Sequence, residues 1–441
     1  MTIQERTGPN RFPLKVGPTR RYFVDQDDRP VLIQGDAAWS LIAAARREDA
    51  STYLEDCAAK GFNAVIVNVL EMYFAPDPPR DPYGEAPFTT PGDFSTPSEA
   101  YFAHVDWVVA EADRRGILTF LVPTYLGHPT PHAYGDAYGY GRPEGWYAEV
   151  LANGVDGCRA FGRYLGRRYE RFDNVVWTMG GDRNPGDVLE HMRAMAEGIL
   201  EEDTRHLFSA HALPEATPSV QYAGEPWLDI DFTYSYQLLH FALLRDYLRS
   251  PIRPNIMIES TYEFDHGASS AQIRRQAYWP LLCGAAGQFM GVLGLFDFAT
   301  GWEGLLDAPG RHAQVHLRAL MDGYRWWDLV PDLSRGKDYA AWHDASLRPF
   351  IVTGVGELRG MDFCSAARTP DGELAMAYMP TSRQVVVDLT QMSGPIVRAT
   401  WFDPITGART PAGYWPASDQ APFSPVANQD WVLILESVPD M

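Results

Sequence analysis

Cysteine is scarce: Cys57, Cys158, Cys283 and Cys364 are the only four in 441 residues, and no two of them form a C-x-x-C pair. That spacing supports neither a zinc ribbon nor a dithiol redox pair, and buried free thiols are the expectation. Long apolar runs are lacking too. The longest, such as 62–70, fall far short of the ~20 residues that cross a bilayer, and 1–21 holds no apolar stretch of signal-peptide length. A cytoplasmic protein is expected. Positive charge is in deficit, since 37 Lys and Arg against 57 Asp and Glu leave a formal net charge of −20. Such a surface repels phosphate backbones and anionic headgroups, so neither nucleic acid nor a membrane is an expected partner.

What is present is globular. Hydrophobic residues make up 46% of the chain, too many for disorder, and 13 Trp with 22 Tyr offer flat faces that either stack on sugars or fill a core. Short apolar runs alternate with amphipathic stretches, the pattern of repeated βα units. The spacing predicts strands at 30–35 (paired with 21–24 as an opening hairpin), 62–70, 117–125, 174–179, 207–212, 231–237, 255–259 and 288–293. Helices are predicted at 47–60, 96–115, 150–171, 188–201, 271–283 and 312–329. Eight strands with intervening helices make an α/β fold, a (β/α)8 TIM barrel over 1–335. Past a composition shift at 331–337, short strands at 350–353, 374–379, 384–388, 397–402 and 431–436 predict a small all-β sandwich domain over 336–441.

Such barrels place their sites at the C-terminal ends of the strands. Two carboxylates stand there, Asp182 after strand four and Glu259 at the end of strand seven. Glycosidic cleavage needs such a pair, one protonated to assist the leaving oxygen and one ionised to attack the anomeric carbon or activate water. An Asp after Gly-Gly also serves as an ordinary helix N-cap, so Asp182 carries both readings. Candidate substrate contacts at the other strand ends are Asp36, Trp39, Asn68, Tyr125, His211, Tyr234, Tyr236, Glu263 and Trp302. Of these, Glu263 and His211 also fit plain structural roles, and the Tyr and Trp residues also fit a core. His128 and His132 are too weak a pair to imply a metal. No metal or organic cofactor is expected, and the expected partner is a small carbohydrate or glycoside. Two rivals stay open. A metal-dependent barrel hydrolase would want a His-x-His pair where Gly35, Asp36 and Ala37 stand. A non-catalytic carbohydrate-binding barrel is the other.

Three segments, Gln34-Gly35-Asp36-Ala37-Ala38-Trp39, Trp177-Thr178-Met179-Gly180-Gly181-Asp182 and Glu259-Ser260-Thr261-Tyr262-Glu263, resemble the apiosidase-like glycoside hydrolases, family 140 and its relatives. The resemblance covers nearly the whole chain. It implies a retaining (β/α)8 hydrolase followed by a β-sandwich of the type labelled collagen-binding. It also implies Asp182 as acid/base and Glu259 as nucleophile, with Asp36 and Trp39 in the sugar subsite. After strand eight, relatives usually carry a Gly-His-Thr-Tyr-Gly-like run, where this chain has Gly287-Gln288-Phe289-Met290-Gly291, which implies a reshaped subsite.

Overall fold

The computed structural model describes residues 10–129, 145–334 and 347–438. His132, most of the 126–143 loop and the domain boundary expected at 335/336 lie outside the described residues. A small antiparallel sheet opens the chain, from β1 (Lys15–Val16), β2 (Phe23–Val24) and β3 (Pro30–Val31). Eight parallel strands follow: β4 (Ile33–Ala37), β5 (Ala64–Asn68), β6 (Leu118–Val122), β7 (Val175–Gly180), β8 (Phe208–His211), β9 (Asp231–Tyr234), β10 (Asn255–Glu259) and β11 (Gly287–Met290). Their ladder runs β8-β7-β6-β5-β4-β11-β10-β9. The ring closes where the N–H groups of Asp229 and Ile230 donate to Phe208 O at 2.9 and 3.0 Å.

The helices are α1 (Leu41–Ala44), α2 (Arg47–Ala59), α3 (Glu99–Asp113), α4 (Tyr147–Tyr169), α5 (Leu189–Leu200), α6 (Pro218–Gln221), α7 (Leu239–Tyr247), α8 (Ser270–Leu282) and α9 (Pro309–Asp322). Strands buried on both faces read as continuous apolar runs, which is why periodicity found them. Helices α1, α6 and α7 were not among the expected ones: α1 and α6 span four residues each and α7 nine, too few turns for the periodicity to show. Among the described residues no helix is long and apolar enough to cross a membrane. All four cysteines are buried and free.

The C-terminal region is all antiparallel β. One sheet is ordered from β12 (Val330–Pro331) through β14 (Ser365–Arg368), β15 (Leu374–Met379), β20 (Trp431–Val438) and β17 (Ile396–Phe402) to β18 (Arg409–Pro416). The other joins β13 (Ile351–Thr353), β16 (Val385–Asp388) and β19 (Gln420–Phe423). Strand alternation splits the large sheet's side chains between two cores. Ala375, Ala377, Leu433 and Leu435 pack inside the sandwich. Leu374, Met376, Tyr378, Val432 and Ile434 pack instead with Leu243, Trp279, Leu282 and Leu320 of the barrel helices. A buried ion pair pins this seam, Arg274 to Asp430 through two bonds of 2.8 and 2.7 Å.

Candidate functional site at the barrel mouth

Parity along each strand decides what reaches the mouth. Ala64 and Ile66 of β5, Leu118, Phe120 and Val122 of β6, and Phe232 and Tyr234 of β9 fill the barrel, while Val65, Val67 and Leu121 face the helices. On β10, Ile256 and Ile258 point inward and Met257 outward. Simple alternation would send Glu259 out. The register breaks here: Met257 pairs with Thr233 but Glu259 pairs with Tyr234, so two residues of β10 oppose one of β9. This bulge turns Glu259 into the barrel beside Tyr234.

Asp182 arrives by a different device. Gly180, Gly181 and Asp182 all have positive φ, at 87°, 126° and 45°. A Cβ on Gly180 would meet His211 O at 2.6 Å, and one on Gly181 would meet the Tyr125 ring at 2.4 Å. Only glycine permits that path, and Asp182 itself holds a conformation costly for a residue with a side chain. Tyr125 Oη–H donates to Asp182 Oδ2 at 2.6 Å, and the Asp182 N–H donates to His211 Nδ1 at 3.3 Å.

His211, fully buried at the end of β8, sits between the two carboxylates. Its Nε2 lies 3.2 Å from Glu259 Oε2, and its Nδ1 lies 3.8 Å from Asp182 Oδ1. With the Asp182 N–H aimed at Nδ1, the neutral ring carries its hydrogen on Nε2 and donates it to Glu259. Burial pushes the His211 pKa down, but the Glu259 bond and the Asp182 charge outweigh it, and the ring stays above its ordinary value. Burial pushes the Glu259 carboxyl up, against the pull of the His211 bond. Asp182 is 8% exposed and Glu259 7%, so both carboxylates are largely shielded from solvent. One ligand atom from each of Asp182, His211 and Glu259 falls within 4.8 Å of the others, and these three residues could hold a metal ion.

Rings surround the pair. Trp39 Nε1–H donates to Tyr262 Oη at 2.7 Å, and the Trp39 ring packs edge-on to His211. Tyr234 Oη and Tyr236 Oη are 2.9 Å apart, and Tyr236 Oη–H donates to Glu259 Oε1 at 3.3 Å. Trp39, Tyr125, His211, Tyr234 and Tyr236 thus gather around Asp182 and Glu259. Two residues join them that were not expected. Tyr262 packs on Phe296 and interacts with Glu259, and Phe74 packs on both Tyr125 and Phe296. Tyr262 was signalled by its place in the Glu259-x-x-Tyr262 run. Phe74 had no signal, since its position is set by Glu71, whose Oε1 accepts the N–H groups of Met72, Tyr73 and Phe74.

Four expected contacts go elsewhere. Asp36 has the wrong parity on β4: Ile33 and Ala37 face in, and its carboxylate meets Arg311 of α9 and Tyr53 of α2 in the helical layer. Both Glu263 oxygens accept the Gly310 N–H at 2.9 Å, so this carboxylate serves the N-terminus of α9. Trp302 packs on Phe298, which packs on Tyr53, outside the barrel wall. Asn68 has inward parity, but its amide donates to Glu71 at 3.0 Å. The departure at 287–291 also misses the pocket. Gln288 bonds Gln314 of α9 at 2.8 Å and Met290 packs in the helical layer, while Phe289 is the side chain that enters the barrel.

The fold is one that many enzymes share, and the family matched by its catalytic part makes this protein an enzyme of the glycoside hydrolase kind. More particularly, residues 18–328 match the family described as "Apiosidase-like, catalytic domain", and the chain belongs to that family. Residues 351–436 match the family described as "Putative collagen-binding domain of a collagenase". A solved structure titled "Glycoside hydrolase" is similar at 22% identity and a TM-score of 0.80, covering 96% of each chain. A glycoside hydrolase family 5 structure from Bacteroides vulgatus ATCC 8482 is similar at 22% identity and a TM-score of 0.79, covering 96% of this chain and 93% of that one. At that identity the likeness is one of fold. No curated protein matches the chain.

Proposed function

We propose that the enzyme removes a terminal sugar from small glycosides or oligosaccharides with retention of anomeric configuration. Glu259 is the nucleophile and Asp182 the acid/base. The observation that carries this reading is the spacing of the two carboxylates, which offer oxygens within 4.8 Å of one another. Retaining glycosidases hold their carboxyls about 5–5.5 Å apart, whereas inverting ones leave about 6.5–9.5 Å for a water. The chemistry needs Glu259 ionised. Its raised pKa places the acidic limb of the kcat/KM profile above the ordinary glutamate value, with activity lost as pH falls through it.

The family name supports a terminal pentose such as apiose as the first sugar to try, in a panel of aryl pentosides, deoxyhexosides and hexosides. With the best of these, Glu259→Ala supplied with azide should yield a glycosyl azide of inverted configuration. Recovery of the free sugar alone, with no azide adduct, would remove Glu259 as the nucleophile. One observation favours a second reading, a metal-dependent hydrolase: Asp182, His211 and Glu259 can converge on one ion. Exhaustive chelation separates the two, since the two-carboxylate enzyme keeps its rate and a metal-dependent one loses it.

A further inference from the structure

Tyr125 was expected as a sugar contact, but its surroundings suit it to another task. The ring is 2% exposed and held from three sides, by Trp39, by Phe74 and by the Gly181 backbone, where a Cβ would lie 2.4 Å from it. Its own carbonyl accepts the Trp146 N–H at 2.8 Å, so backbone and ring are both fixed. The hydroxyl of this immobile ring meets one oxygen of Asp182, Oδ2, at 2.6 Å. The other oxygen, Oδ1, is buried and has no hydrogen-bond partner among the described residues.

A carboxylic acid has two oxygens, and a general acid works only if the one bearing the proton points at the leaving group. A hydrogen bond from a fixed donor to one of those oxygens restricts rotation of the whole carboxyl group. Tyr125, donating to Oδ2, restrains Asp182 in this way. We propose that Tyr125 is a positioning residue for the acid/base, holding the Asp182 carboxyl in the orientation from which it gives its proton to the leaving oxygen.

This rests on Asp182 being the acid/base. In the first step a Glu259 oxygen bonds to the anomeric carbon as the glycosidic C–O bond breaks, and the Asp182 proton passes to the departing oxygen. In the second step water attacks the same carbon, gives its proton back to Asp182, and frees the Glu259 carboxylate. Between the two, Asp182 is ionised and the Tyr125 bond becomes charge-assisted. The phenol therefore supports the developing charge more than it supports the resting acid.

Tyr125→Phe keeps the ring against Gly181 and removes only the hydroxyl. The test compares two glycosides of the sugar that the wild-type enzyme hydrolyses best, a phenyl glycoside and a 2,4-dinitrophenyl glycoside. Phenolate leaves poorly and needs the proton, whereas dinitrophenolate does not. Tyr125→Phe should lower kcat/KM on the phenyl glycoside about 10–100-fold more than on the dinitrophenyl one, the range expected for a lost hydrogen bond to a charged group. Asp182→Asn should show the same skew more strongly. If Tyr125→Phe slows both substrates equally, or neither, the positioning role is overturned while Asp182 keeps its own. If Asp182→Asn shows no dependence on the leaving group, the acid/base assignment itself fails.

Discussion

Two buried carboxylates end or nearly end barrel strands, Asp36 on β4 and Glu259 on β10, and their surroundings differ in kind. Asp36 faces the helical layer and meets a fully buried cation, Arg311, which also reaches Asp56 at 2.8 Å. Burial alone would pull the Arg311 pKa down, but Asp36 opposite keeps it well above its ordinary value, so the guanidinium stays charged. Among the described residues Glu259 has no such cation. Its partners are a histidine, two phenols and a second carboxylate; burial raises its carboxyl as it raises that of Asp36, but no guanidinium faces it. A charge faced by an opposite one builds the fold. A charge left under-matched is held ready for a reaction, and the fold carries the cost.

The largest effect should come from the under-matched side. Glu259→Ala should lower kcat by about 10⁴-fold or more, as removal of a nucleophile does elsewhere, with no loss of thermal stability. A calorimetric melt together with steady-state rates checks both halves, and a large drop in Tm would place Glu259 with the structural charges instead. The next largest comes from the matched side. Arg311→Met strands Asp36 in the core without a cation and should cost about 3–5 kcal/mol in denaturant unfolding. Replacing both together, Asp36→Leu with Arg311→Met, should recover most of that loss. If the double variant is no more stable than the single one, Asp36 is not what makes Arg311 necessary. A smaller effect divides the two glutamates of the Glu259-x-x-x-Glu263 run. Glu263→Gln weakens a carboxylate at the start of α9 and should cost about 1–2 kcal/mol while the ratio of rates on different leaving groups stays as in the wild type. A change in that ratio would bring Glu263 back to the pocket.

Much of this was legible beforehand, and what was not has a geometric cause. The apolar runs found all eight barrel strands, because strands covered on both faces leave an unbroken signature. Gly180-Gly181-Asp182 could be read as a special turn, since paired glycines before an acid imply a path closed to other residues. Asp36 was misplaced by one position of parity: it shares a strand end with the pocket but sits on the outward register, and strand ends alone do not show which residue faces in. Glu259 is the converse. Alternation from Ile256 and Ile258 would have sent it outward, and nothing in the sequence announces the bulge that brings it back. Trp302 and Glu263 were drawn toward the site by closeness in sequence, although short loops can return a residue to the helical layer. Tyr262 was in plain view within a quoted run, but its bond to Trp39 joins residues 223 positions apart and needs the folded barrel.

The smallest predicted effect tests the cost of the under-matched charge directly. Glu259→Gln keeps the shape of the side chain and removes its charge. In the folded protein the Glu259 carboxyl titrates above its ordinary value, mainly through burial, whereas in the unfolded chain it titrates normally. Below the unfolded pKa both states hold the proton, and the group contributes no penalty. As pH rises from the unfolded pKa through the folded one, the unfolded chain gives up its proton first, and stability is lost relative to the glutamine variant until both states are ionised. Glu259→Gln should therefore be more stable than the wild type at neutral pH, by roughly 1 kcal/mol, as is common when an active site is relieved of strain. The gain should shrink as the solution is acidified and vanish once both chains are uncharged at this position. A gain that persists unchanged into acid would have to come from packing. A loss at neutral pH would mean that the His211 bond outweighs burial, and Glu259 would then belong with Asp36 among the charges that hold the barrel together.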